Sequence, residues 1–247
     1  MDEEGVAGLL LDKMPEQESF CQAAILNTIA DAYLVYKKLA MHVRPPYLKL
    51  LHGMMIPLHK RVEIEKIKRF QAEKKKGRLY VVSTQILEAG VDLSFDHMIR
   101  ALSILPSIVQ AAGRVNRHFS GLYGTLTLIL FLRGGEKNTR SAIYPLSLQK
   151  LTDDLLQRKE ICLESELLGL IKEYYRKMFA CNSYEAGKQD IRDAYEGNWS
   201  KLGEFKPFSE DYYKLPIFVP WQATEEDKAY FPDRFIKLQK RLRLDSP

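Results

Sequence analysis

A chain of 247 residues with 46% apolar side chains holds one large or two small domains and can close a real core. No apolar run approaches the ~20 residues of a membrane span, and no basic start leads into an apolar stretch, which argues against a membrane and against a signal peptide. Three scattered cysteines (Cys21, Cys162, Cys181), no CxxC and five histidines without ligand spacing argue against a disulfide framework or a metal site and suit a cytoplasmic setting. The net charge of +5 permits a polyanionic partner without requiring one.

Residues 1–19 are acidic and poorly patterned. Residues 22–26 read as a short apolar strand, after which Asn27-Thr28 caps a helix reaching Ala40, with Ile29, Tyr33, Tyr36 and Leu39 on one face. Pro45-Pro46 ends that unit, and residues 47–51 form the next strand. A basic amphipathic helix over 58–76 buries Leu58, Val62, Ile67 and Phe70, and Gly77 stops it. The β-branched run 80–83 reads as a buried parallel strand, ending on Thr84-Gln85 and followed by a Gly90-Val91-Asp92 turn. A short strand near Met98-Ile99 precedes a helix that Pro106 starts and that carries Gln110, Gly113, Arg114 and Arg117. Gly124 leads into an apolar strand over 125–132, and Gly134-Gly135 marks a turn and a domain edge. Strands alternating with helices imply a mostly parallel sheet with helices on both faces, and right-handed crossovers.

From Asn138 onward the character is helical: Leu163, Leu167, Leu170, Tyr174 and Met178 repeat at helical spacing as a core-facing stripe. A helix fragment follows over 190–198, then a segment over 205–221 rich in proline and aromatics, then a last basic helix over 232–243. The lysine-rich stretch 74–76 and the basic end read as solvated charge. The aromatic segment could stack bases, but core or interface is the simpler reading.

Three stretches carry a resemblance. TQILEAGVD at 84–92 and QAAGRVNR at 110–117 resemble motifs V and VI of superfamily 2 helicases, and LLHGMMIPLHKR at 50–61 resembles the motif IV region. Three such motifs in order are far more specific than any one alone. Their wording looks like the helicase part of the CRISPR-associated helicase-nuclease of type I systems, from about Ala23 to Leu132 and only faintly beyond. The resemblance implies an α/β fold: a second RecA-like lobe over 21–135, after an amino-terminal segment 1–20 and before a small, mainly helical carboxy-terminal domain over 136–247.

Site residues follow residue by residue. Arg114 and Arg117, three apart and so on one helix face, match the arginine fingers that reach ATP held by the other lobe, with Gln110 in the same network. Gly90 and Asp92 are expected near the nucleotide, with Asp92 either at its sugar or linking motif VI to the nucleic acid, Thr84 and Gln85 near a strand phosphate, and His52-Gly53 bring a backbone amide towards that strand. The bland alternatives are surface arginines, a turn aspartate and a strand-end hydroxyl. Relatives often carry Arg after the motif Gln, where this chain has Ala111. Glu88 has no assigned role.

The chain shows no G-x-x-x-x-G-K-[ST] loop, no acidic motif after a strand and no His-Asp dipeptide. The expectation is therefore one part of an ATP-dependent single-stranded DNA translocase, with ATP and Mg²⁺ bound mainly by a first lobe outside this sequence. The implied partners are single-stranded DNA, a crRNA-guided surveillance complex, and the missing lobe and nuclease. A non-catalytic binding or regulatory module, or half of another superfamily 2 helicase, are the alternatives.

Overall fold

The computed structural model describes residues 1–12, 19–73, 76–88, 90–118, 123–156, 160–181, 191–200, 203 and 221–233. Five parallel strands form one sheet: β1 (Ser19–Ile25), β2 (Leu48–Leu51), β3 (Gly77–Ser83), β4 (His97–Ala101) and β5 (Thr125–Ile129), in the order β2-β3-β1-β4-β5. β1 is central and buried from Phe20 to Ile25, as a strand covered on both faces must be.

Alternate residues of each strand point to opposite faces, and each face has its own core. Ala24, Tyr80, Val82 and Ile99 pack under α1 (Glu3–Asp12) and α2 (Ile29–Ala40). Ala23, Ile25, Val81 and Met98 pack under α3 (Pro57–Ala72) and α4 (Leu105–Ala112). This covered parallel sheet is the architecture the resemblance implies.

Several local expectations shift. The acidic leader is helical over α1, where Val6 and Leu10 seal the core above β1 and β3. Thr28 does cap α2, accepting from the Asp31 amide. The inward face of α2 is Ala32, Val35 and Leu39, however, while Ile29 and Tyr33 are exposed. The fully buried Asp31 accounts for this rotation: its carboxylate accepts from Arg133 Nε and Thr139 Oγ1, each at 2.7 Å, so that face must turn inward. In α3, Val62, Ile67 and Phe70 are buried and Leu58 is half-buried.

β5 ends at Ile129, earlier than its apolar run suggests, and Leu132–Arg133 (β6) turns back on Lys137–Asn138 (β7). Gly134 and Gly135 take positive φ at the tip of that hairpin, where glycine is the residue without strain. A Cβ on Gly124 would collide with Val115 and Asn116, so the chain entering β5 passes tightly against the segment after α4.

Beyond the hairpin, α5 (Leu146–Leu156) and α6 (Glu164–Cys181) pack on α4 through Leu105, Leu155 and Tyr174. Of the expected α6 stripe, Tyr174 is buried, Leu167, Leu170 and Met178 are half-buried and Leu163 is exposed. Residues 191–195 are helical, as expected. The expected aromatic segment lies outside the described residues except for Trp221, which stacks on His59 of α3 at 4.5 Å. The expected terminal basic helix lies outside them beyond residue 233. A short helix, α7 (Glu225–Tyr230), closed by a Thr224–Asp227 capping box, packs against α3 through Lys66–Asp227 and Arg69 over the Tyr230 ring.

Candidate functional site

In an open parallel sheet, ligands meet the carboxyl ends of the strands. Three connections converge there. β2 ends at Leu51, whose carbonyl accepts from the Thr84 amide at 3.1 Å, so His52 and Thr84 leave the sheet side by side. β3 ends at Ser83 and passes into a single 3-10 turn, Gln85–Leu87. β4 ends at Ala101 and leads into α4, with Pro106 in the first turn as its missing N–H allows.

α4 stops at Ala112, which corrects the expectation that Arg114 and Arg117 share a helix face. The chain after it is pulled into an extended bridge beside Phe95: Phe95 N donates to Arg114 O at 2.9 Å, and Asn116 N donates to Phe95 O at 2.8 Å. Asn116 takes φ 46°, a left-handed value that asparagine tolerates. The Arg117 amide then bonds Ser94 Oγ at 2.9 Å. Backbone pairing thus places the two arginines.

Both guanidiniums turn to the loop that follows β3. Arg114 donates from Nη2 and Nε to the Glu88 carbonyl, at 2.9 and 3.3 Å. Arg117 Nε pairs with Asp92 Oδ1 at 3.3 Å, at side-chain exposures of 41% and 65%. Gly90, between these contacts, has φ 77°, which glycine adopts without strain. Gln110 is exposed on α4, and among the described residues no hydrogen bond joins its side chain to either arginine.

Beneath this loop lies a polar hub that local sequence patterns do not show. Arg100, on β4, is fully buried. Its Nε pairs with Glu88 Oε1 at 2.8 Å. Nη1 donates to Asn27 Oδ1 and to the Ala101 carbonyl, both at 2.8 Å. Nη2 donates to Ser107 Oγ and to the Tyr144 hydroxyl, both at 3.0 Å. Ser107 Oγ in turn donates to Glu88 Oε2 at 2.6 Å. Burial pushes the Glu88 carboxyl above its usual range, against the pull of Arg100 and Ser107. Gln85 Nε2 donates to the Asn27 carbonyl at 3.0 Å, tying the 3-10 turn to the start of α2.

Thr84 is buried at the strand end, Gln85 is half-buried, and Gly53 is exposed. Burial, with Lys60 and His59 nearby, lowers the His52 pKa. Glu88, Arg100, Ser107 and Tyr144 are the residues that sequence reasoning missed. One signal was present: an arginine inside the apolar run of β4 must find partners. Among the described residues, no group of three or more His, Cys, Asp or Glu could hold a metal ion, and no helix is long and apolar enough to cross a membrane.

Residues 18–120 match the family model described as CRISPR-associated nuclease/helicase Cas3, C-terminal. The chain is 29% identical over 153 residues to the CRISPR-associated nuclease/helicase Cas3 of Methanothermobacter thermautotrophicus, covering 61% of this chain and 17% of that protein. The fold is similar to Cas3 of T. fusca in its ATP complex, with a TM-score of 0.59, 22% identity, and coverage of 82% of this chain and 25% of that one. It is also similar to a chain of a CRISPR RNA-guided surveillance complex in a pre-nicking state, with a TM-score of 0.53, 22% identity, and coverage of 80% and 26%. The chain therefore spans about a quarter or less of these three proteins. The likeness to the solved chains identifies the RecA-like sheet expected from the motifs.

Proposed function

We propose that this chain, whose residues 18–120 form a Cas3-like carboxy-terminal helicase region, supplies the second RecA-like lobe of an ATP-driven single-stranded DNA translocase of type I CRISPR interference. The division at about residues 20 and 135 is part of the proposal. The observation that carries it is the joint packing of the Arg114 and Arg117 guanidiniums on the loop that joins β3 to β4.

ATP with Mg²⁺ is held mainly by a first lobe, and this chain contributes to its outer side. Arg117 fits that task because its ion pair with Asp92 is half-exposed and so costs little to exchange for a phosphate oxygen. Arg114, already bonded to Glu88, fixes the loop that bears Gly90 and Asp92 beside the nucleotide. Gln110 joins this network only if the lobes close on it. Thr84, Gln85 and the amides at His52-Gly53 follow the strand backbone, so binding is insensitive to base sequence and sensitive to salt. The neighbours named Cas3-ATP and CRISPR RNA-guided surveillance complex support ATP and a crRNA-guided complex as partners of the assembled protein.

The test is ATP turnover with single-stranded DNA, first by this chain alone and then with a polypeptide carrying the phosphate-binding lobe. Silence alone and turnover on mixing are expected. Turnover by the chain alone would place a complete nucleotide site within it and overturn the proposal.

A further inference from the structure

Tyr144 lies past the β6–β7 hairpin, outside the parallel sheet, yet its hydroxyl sits among the groups that hold the loop after β3. It accepts from Arg100 Nη2 at 3.0 Å, lies 3.4 Å from Ser107 Oγ, and accepts from Gln85 Nε2 at 3.5 Å. Gln85 has a second anchor, the Asn27 carbonyl, and Asn27 itself bonds Arg100. The side-chain amide of Gln85 is thus held between the start of α2 and a residue of the following region.

Tyr144 is in turn tied to its own region. Its carbonyl accepts from Gln149 Nε2, and its amide donates to the Arg140 carbonyl at 3.1 Å. Arg140 is buried and bonds the Ser103 carbonyl at 2.7 Å and both carboxylate oxygens of Asp153 in α5, at 2.7 and 2.9 Å. A chain of hydrogen bonds thus runs from Asp153 of α5 through Arg140 to Tyr144, and from its hydroxyl to Gln85.

We propose that Tyr144 is a positioning residue through which the region after the sheet sets the orientation of Gln85 for nucleic-acid binding. The inference rests on the reading of Gln85 as a strand contact. Arg100 serves as the shared anchor, because its guanidinium binds Tyr144 on one side and Glu88, the residue that holds Arg114, on the other.

The test is a double-mutant cycle on the full chain, using anisotropy of a fluorescein-labelled oligo-dT at low salt. Tyr144→Phe keeps the ring and removes only the hydroxyl. The expected result is about fivefold weaker binding for Tyr144→Phe, the worth of one ordinary hydrogen bond, and no further weakening when it is added to Gln85→Ala. General loosening of the fold would instead weaken binding in both backgrounds and would overturn the proposal. So would a Tyr144→Phe chain that binds as wild type while Gln85→Ala binds worse. If Gln85→Ala leaves binding unchanged, or the chain shows no binding, the strand-contact reading itself fails, and the role of Tyr144 fails with it.

Discussion

Arg100 and Arg117 both pair with a carboxylate from the loop after β3, and there the likeness ends. The Arg100–Glu88 pair is 2.8 Å long, with exposures of 0% and 5%, and its remaining donors go to carbonyls and hydroxyls of the surrounding connections. The Arg117–Asp92 pair is 3.3 Å long and half in solvent. A buried pair cannot lose one member without stranding the other, whereas an exposed pair exchanges partners at little cost. One arginine is a fixture of the loop, and the other is held there by a pair open to exchange.

The first way to break this comparison is at the buried pair. Arg100→Ala leaves Glu88 buried without its cation and is expected to lower stability by about 3–5 kcal/mol in denaturant unfolding. A loss below about 1 kcal/mol would mean that the hub does not hold Glu88 as an anion, and the contrast with Arg117 would fall.

The contrast also explains what could be read in advance. The strands were legible because a parallel sheet covered on both faces needs unbroken apolar runs such as those of β1 and β3. The Thr28 cap and the Pro106 helix start were legible because both act over a few residues. The hub was not: Arg100 meets Asn27 and Tyr144 across 73 and 44 residues, and no local period records such contacts. The inward face of α2 was misjudged because Asp31, a polar residue, is buried by partners more than 100 residues away. Motif wording located both arginines, but helical spacing gave them the wrong geometry, since the Phe95 bridge takes over where α4 ends.

A second test uses an ionic cluster of intermediate exposure, where Lys49 and Lys66 hold Glu63, and Lys66 also holds Asp227 of α7. Burial raises both carboxyls, but the lysines, together with the Thr224 amide and hydroxyl at Asp227, more than offset it, so both pKa values end below the ordinary ones. A lowered carboxylate adds stability above its unfolded pKa and loses it as pH falls through the folded value. The difference in unfolding free energy between the chain and its Asp227→Asn variant is therefore expected to hold steady down to the ordinary carboxylate range and to shrink below it. A change that is complete at pH 5 or above would refute the clamp.

The smallest effect belongs to the exposed pair. Asp92→Asn is expected to shift stability by less than about 1 kcal/mol, because solvent screens the pair it removes. A shift of several kcal/mol in a thermal or denaturant scan would show that this pair is as structural as the buried one.

The most direct measurement is ATP turnover by the assembled two-lobe protein carrying Arg117→Ala. The account predicts a fall of about 10³-fold, as when an arginine finger is removed, with unfolding unchanged because Arg117 is half-exposed. Turnover within a few-fold of wild type would contradict the assignment of Arg117 as the exchangeable group at the nucleotide.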